Sequence, residues 1–174
     1  MTTNGILLRK FAADLKKAGL QRVNISLDSV NTLVYKKLTG GGKLEEVMNG
    51  IYSAIENNLQ PVKINCVVEK TSDEENAREV KEFCIKNKLE ARFITKMDLS
   101  NGLFSEVEGG MGGRCNKCNR LRLSANGMIR PCLFDEQEYS VREMGAEKAM
   151  RLALMCKPLK GSRNTKTNFY NIGG

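Results

Sequence analysis

The spacing of apolar residues in the first hundred positions switches repeatedly between two periods. Apolar side chains recur every three to four residues, the spacing of amphipathic helices, in "ILLRKFAADLKKAGL", "KLEEVMNGIYSAIENN" and "EENAREVKEFCIKN". They alternate or run together, as in strands, in "QRVNISLD", "PVKINCVVEK" and "EARFITKM". Helices and strands in alternation form a parallel sheet or a (β/α) barrel, so the pattern predicts an α/β fold.

The predicted strands have one apolar and one polar face. The apolar face, which includes Cys66, suits the side of the sheet that helices cover. Cys84 lies on the apolar face of a predicted helix. We interpret both cysteines as packing residues. The alternate residues then point into a cleft or lumen, among them Ser26, Lys63 and Asn65. A lumen this polar indicates a binding cavity; a solvated edge strand is the alternative. In the first helix, Gly19 is the predicted C-terminal cap, and the predicted apolar face comprises Leu7, Leu8, Phe11, Leu15 and Ala18.

The alternation ends near Met97. The stretch that follows, "MDLSNGLFSEVEGGMGGRC", is rich in glycine and polar residues and indicates a loop. We therefore predict two domains, with residues 1–97 forming part of a (β/α) barrel and residues 98–174 a small second domain.

Three cysteines of the second domain lie at C-x2-C-x13-C spacing: Cys115, Cys118 and Cys132. The pair Asn126-Gly127 predicts a β-hairpin within the long gap, because both residues tolerate the positive φ of a two-residue turn. Folding about that turn sets Leu123 opposite Arg130 and Leu121 opposite Cys132. The hairpin would thus return Cys132 to Cys118, with Arg120 and Arg122 on the face beside them.

Two kinds of metal centre fit this pattern equally well. The chain has no histidine, and a closed tetrahedral zinc site would need a fourth ligand, for which the only spare downstream cysteine is Cys156. A 4Fe–4S cluster held by three cysteines would instead leave one iron open to substrate. Arginines beside an open iron suit a phosphorylated ligand.

Composition narrows the classes of protein. No apolar run approaches the roughly 18 residues of a membrane span, and six cysteines without an export signal favour reduced thiols in the cytoplasm. The net charge of +8 is spread along the chain, without an aromatic and basic motif for nucleic acid. Rival interpretations are a zinc-stabilised binding module, another radical enzyme with an auxiliary cluster, and a ubiquitin-like carrier, which a helical stretch before the terminal Gly-Gly disfavours.

The segments "CNKCNRLRLSANGMIRPCLF", "RVNISLDSV", "TTNG", "RFITKMD" and "NFYNIGG" closely resemble the GTP 3′,8-cyclase family of radical S-adenosylmethionine enzymes. The resemblance covers most of the chain. It implies a partial (β/α) barrel of the radical-SAM type followed by a small C-terminal iron–sulfur domain. It further implies that Cys115, Cys118 and Cys132 bind a 4Fe–4S cluster whose open iron contacts GTP.

Further site residues follow from the matching motifs alone. The resemblance implies GTP contacts at Thr2, Lys63, Arg120, Leu121 and Arg122. It implies S-adenosylmethionine contacts at Ser26 and Met97. The tail residues Gly173 and Gly174 would reach the active-site region and support the radical step.

The implied activity is that of a lyase in molybdenum cofactor biosynthesis. The family cleaves S-adenosylmethionine at a second 4Fe–4S cluster and converts GTP to (8S)-3′,8-cyclo-7,8-dihydroguanosine 5′-triphosphate, for use by cyclic pyranopterin phosphate synthase. A homodimer is a further expectation. The family's C-x3-C-x2-C motif is absent from these 174 residues, so we expect Met1 to be an internal start and the chain alone to be inactive. The link from Met97 to Cys115 is also shorter than in the family.

Overall fold

The computed structural model of the chain describes residues 1–98 and 104–161, which divide into two compact units. The first unit comprises Met1–Lys96 together with Val107–Gly110. The second comprises Met97–Glu106 and the chain from Met111 onward.

The first unit contains a four-stranded sheet in which every pair of neighbours is parallel. The strand order follows the chain: β1 (Thr2–Thr3), β2 (Val23–Ser26), β3 (Val62–Val68) and β4 (Glu90–Thr95). Successive strands are joined through helices, as parallel pairing requires. The predicted α/β fold is confirmed, and the arrangement is that of a partial (β/α) barrel.

The helices of this unit are α1 (Leu8–Lys17), α2 (Thr32–Leu38), α3 (Leu44–Glu56) and α4 (Glu75–Lys86). The short helix α2 lies outside the predicted elements. It begins where the Asn31 side chain accepts hydrogen bonds from the N–H groups of Leu33 and Val34, which satisfies two of the donors that a helix start leaves open.

The buried face of α1 differs from the predicted one. Leu8 and Ala12 are buried, whereas Leu7 and Phe11 are 62% and 39% exposed. Leu7 precedes the helix as its N-terminal cap, so the inward stripe starts one residue later than predicted. Gly19 does follow the helix with a φ of +94°, as the cap prediction requires.

The strand faces agree with the prediction. Val62, Ile64, Cys66 and Val68 are buried in the core beneath the helices, and Cys84 joins them from α4. The alternate positions Lys63 and Asn65 are only partly buried and lie on the other face of the sheet. The two cysteines are therefore packing residues, as predicted.

Helix α3 approaches the turn between β1 and α1 very closely at Gly50. A Cβ atom built on Gly50 would lie 2.0 Å from the backbone oxygen of Gly5. Backbone atoms cannot give way as a flexible side chain does, so this packing of α3 requires glycine.

The second unit contains a three-stranded antiparallel sheet of β5 (Arg122–Leu123), β6 (Met128–Arg130) and β7 (Tyr139–Ser140). Two helices follow, α5 (Val141–Met144) and α6 (Ala146–Met155). The Ser140 hydroxyl accepts from the Glu143 N–H, as a capping box predicts. A small core joins Ile129 to Ala149 and Ala153 of α6, with Leu121 packed against it.

Within the part of the chain that the structure describes, no helix has both the length and the apolar composition needed to cross a bilayer.

Candidate functional site

The hairpin that carries the cysteine motif has a three-residue loop, and the predicted register is wrong. Leu123 lies opposite Ile129, and Arg122 opposite Arg130. The Ser124 N–H donates to Met128 O and the Gly127 N–H to Ser124 O. Only Gly127 in this loop has a positive φ, +83°. The connection is therefore a three-residue loop closed by a left-handed glycine rather than a two-residue turn. Continuing the register sets Pro131, not Cys132, opposite Leu121.

The three cysteines line one cavity with both arginines, as the sequence predicts. The space between its walls is about 420 Å³, the open mouth included. Its lining comprises Phe104, Gly113, Cys115, Cys118, Arg120, Arg122, Pro131, Cys132, Leu133 and Phe134. A 3₁₀ turn at Cys115–Lys117 bends the chain so that the Cys118 N–H donates to Cys115 O at 3.1 Å. Leu121 turns the other way, into the small core.

The three cysteines line the cavity without converging on one point. Across residues 1–98 and 104–161, no three cysteine or carboxylate side chains are close enough to hold one metal ion. In a 4Fe–4S cluster each cysteine binds a different iron, so the three sulfurs surround a volume rather than converge on one point.

The electrostatics favour negative sulfur at Cys118. Burial by itself would raise the pKa of the Cys118 thiol. Hydrogen bonds from the backbone and side chain of Arg120, with the charges of Lys157 and Arg120, outweigh burial and lower that pKa below its ordinary value. Burial and the neighbouring charge of Arg120 lower the pKa of Arg122, while Cys132 and Cys118 act in the opposite sense. The cavity thus pairs thiolate-forming sulfur with guanidinium groups.

The spare cysteine is not part of this cavity. Cys156 is exposed at the end of α6. Its interaction with the Tyr139 phenol is the main reason that the pKa of Tyr139 is raised to about 12. Burial of the phenol adds to the effect. Cys156 is thus absent from the lining that the other three cysteines share.

One residue of this site has no motif in the sequence. The Lys157 ammonium donates to Arg120 O at 2.7 Å and to Pro131 O at 2.6 Å. These carbonyls belong to the two chain segments that carry Cys118 and Cys132. The only local signal is its place between the end of α6 and Pro158, which ends helices.

In the first unit, Thr2, Ser26 and Lys63 lie on the polar face of the sheet. The Asn24 amide donates to Thr2 Oγ1 at 3.5 Å, and Lys63 is ion-paired with Glu90. Further along this face, Asn65 Oδ1 and Arg92 Nε are buried without a hydrogen-bond partner among the described residues. A buried polar atom of this kind is commonly explained by an ordered water, an ion or a functional role. Arg92 was not singled out from the sequence.

The remaining candidates are placed as follows. Met97 belongs to the second unit and is 37% exposed. Gly173 and Gly174 lie outside the described residues.

Comparison with known proteins identifies the family. The family model described as the Radical SAM superfamily matches residues 1–84. The GTP 3′,8-cyclase of Petrotoga mobilis is 33% identical over 231 residues, covering 100% of this chain and 72% of that protein. The enzymes of the same name from Thermodesulfovibrio yellowstonii and Clostridium acetobutylicum are 31% and 32% identical; these matches cover 83% and 82% of this chain, and 59% and 58% of those proteins.

The chain therefore spans less than two thirds of several relatives that it matches. The 231 residues aligned with the Petrotoga protein exceed the 174 residues of this chain, so positions inside the aligned stretch have no counterpart here. This chain is a member of the GTP 3′,8-cyclase family of the Radical SAM superfamily.

Proposed function

We propose that this chain carries the substrate-binding part of a GTP 3′,8-cyclase. The reaction would convert GTP to (8S)-3′,8-cyclo-7,8-dihydroguanosine 5′-triphosphate in molybdenum cofactor biosynthesis. The observation that carries the proposal is the cavity of the second unit, where three cysteines and two arginines meet.

Cys115, Cys118 and Cys132 are the proposed ligands of a 4Fe–4S cluster. When bound, the cluster supplies one iron without a cysteine ligand, to which the guanine base can bind. The protein's own part is to hold three sulfurs around the cavity and to balance their negative charge. Arg120 does the latter through its contacts with Cys118.

The arginines have a second proposed role in holding GTP. Arg120 and Arg122 line the cavity with their side chains and can donate charge-assisted hydrogen bonds to anionic oxygens. Leu121 packs into the core beneath them and fixes the segment between the two arginines. Thr2 and Lys63 of the first unit are proposed as further GTP contacts.

S-adenosylmethionine is the proposed second ligand, with Ser26 and Met97 as its contacts. In the family a second 4Fe–4S cluster, on the C-x3-C-x2-C motif, cleaves it. These 174 residues do not contain that motif, so we propose that the purified chain does not cleave S-adenosylmethionine. Formation of 5′-deoxyadenosine by the reconstituted chain under a strong reductant would contradict this.

The proposed partners follow from the same reaction. The product would pass to cyclic pyranopterin phosphate synthase in the cytoplasm, and a homodimer is the proposed assembly. Gly173 and Gly174 are proposed to support the radical step.

The proposal is tested by reconstituting the chain anaerobically with iron and sulfide. We expect about four irons and four sulfides per chain, with broad visible absorption. Cys132→Ser should lose most of this iron, whereas the matched variant Cys156→Ser, at a cysteine outside the cavity, should keep it. One tightly held zinc per chain without visible absorption would instead support the zinc-stabilised module.

A further inference from the structure

Lys157 joins three separate segments of the second unit through one ammonium group. Its Nζ donates to Arg120 O at 2.7 Å and to Pro131 O at 2.6 Å. Arg120 follows Cys118 by two residues, and Pro131 directly precedes Cys132. The two acceptors therefore lie on the two chain segments that carry Cys118 and Cys132.

The hairpin ladder ends just before it reaches the cysteines. Its last pair is Arg122 with Arg130, and the next hydrogen-bonded rung would join Arg120 to Cys132. Arg120 and Cys132 do not form that rung, and the Arg120 carbonyl accepts from Lys157 instead. Lys157 thus stands where the ladder would otherwise continue.

Helix α6 gives Lys157 a fixed base. Ala149 and Ala153 are fully buried against Ile129 of the hairpin, so α6 is packed on the three-stranded sheet. The Lys157 N–H continues the last turn by donating to Leu154 O at 3.3 Å, and Pro158 prevents further helix. The lysine side chain therefore reaches the open end of the hairpin from a rigid element.

We propose that Lys157 is a positioning residue that sets the separation of Cys118 from Cys132 and holds the Arg120 segment at the cavity. This inference rests on the proposed function, because that function gives the separation of the two cysteines its purpose. A lysine suits the role because one ammonium has three donors and can serve two carbonyls at once. Cys115 is tied to Cys118 by the local turn and does not depend on Lys157.

The test uses the full chain without iron, reduced, in a Cys156→Ser background that removes the exposed thiol. A short bifunctional alkylating reagent, dibromobimane, bridges nearby thiols, and peptide mapping by mass spectrometry quantifies each bridge. Lys157→Met should lower the ratio of Cys118–Cys132 to Cys115–Cys118 bridges by at least about threefold, since two charge-assisted hydrogen bonds are lost. Lys157→Arg should restore most of the ratio, and Lys148→Met, an exposed lysine of α6, should leave it unchanged.

Equal ratios in Lys157→Met and the parent would overturn the inference. So would a loss of the ratio that Lys157→Arg does not restore in a folded chain, because the ratio would then not depend on a hydrogen-bond donor at this position. If Lys157→Met does not fold, Lys157→Gln takes its place in the same ratio. Failure of the parent to bind iron would count against the proposed function alone, since the bridging ratio needs no cluster.

Discussion

Lys63 and Glu90 form an ion pair between register neighbours on adjacent parallel strands. The Lys63 side chain is 18% exposed and that of Glu90 51%. Lys63, which is proposed to contact GTP, is thus already paired with a carboxylate, and that carboxylate is more exposed to water than the lysine is. An incoming phosphate would compete with Glu90 for the ammonium group.

Removing this competitor should strengthen GTP binding. Glu90→Gln should raise the affinity about 1.4- to fivefold, because an ion pair with a solvent-exposed partner contributes roughly 0.2–1 kcal/mol. Lys63→Met should weaken binding. Isothermal titration with GTP at two salt concentrations measures both, and Glu69→Gln, which breaks an exposed pair with Lys96, is the control. Weaker binding by Glu90→Gln would mean that the pair orders Lys63 for its ligand.

Removing the Arg122 side chain should weaken GTP binding. Arg122→Ala should reduce GTP affinity by roughly 1.5–3 kcal/mol, the cost of one charge-assisted hydrogen bond. Arg151→Ala, which removes an arginine paired with Glu147 on the exposed side of α6, should have no effect. Affinity measured on chains of equal iron content checks this, and equal affinity of parent and Arg122→Ala would remove Arg122 from the site.

The strand faces could be predicted because a strand has a side-chain period of two. Once Ile64 is assigned to the core, Lys63 and Asn65 must lie on the opposite face. The hairpin register could not be predicted in the same way. Asn126-Gly127 fits both a two-residue turn and a three-residue loop closed by Gly127, and one residue of difference shifts every cross-strand pair.

Lys157 was beyond sequence reasoning for a different reason. Its partners are backbone carbonyls 37 and 26 residues away, and any residue type would offer the same acceptors. Only the packing of α6 on Ile129 brings the lysine to them. Because the partners are backbone atoms, no complementary side chain in the sequence points to the contact.

Because Cys66 is buried, the free energy of unfolding should depend on pH in the alkaline range. Burial, aided by the charge of Asp28, raises the pKa of Cys66 to about 12 from a model-compound value of 9.0. Between these values the unfolded chain releases the thiol proton while the folded chain retains it, so stability falls as the pH rises from 9 toward 12. The slope of the unfolding free energy due to this group is at most about 1.4 kcal/mol per pH unit.

Urea unfolding of the parent and of Cys66→Ala across pH 8 to 11 isolates this contribution. The two proteins should differ in stability at pH 8, where the parent keeps its packing, and the difference should shrink at higher pH. A difference that stays constant across the range would show that Cys66 ionises alike in both states. Cys84, whose pKa burial raises to about 11, remains in both chains and cancels.

Gly50→Ala should destabilise the first unit. The new methyl group would lie 2.0 Å from Gly5 O, so α3 or the β1–α1 turn must shift, at a cost of about 1–3 kcal/mol typical of overpacking. Asn49→Ala on the same helix is the control for helix propensity and should be nearly neutral. Thermal or urea unfolding measures both, and a stable Gly50→Ala variant would show that the helix can move aside.

The unequal lengths of the pairing strands have a consequence for amide hydrogen exchange. β3 is seven residues long, lies between β2 and β4, and buries every second side chain, so its amides should open only with the whole first unit. β5 and β6 share only two register pairs, too few to resist local opening. Slower exchange in that hairpin when the cavity is filled would thus report what occupies it, and the amide to follow is that of Arg122, which pairs with Arg130 on a hydrogen-bonded rung.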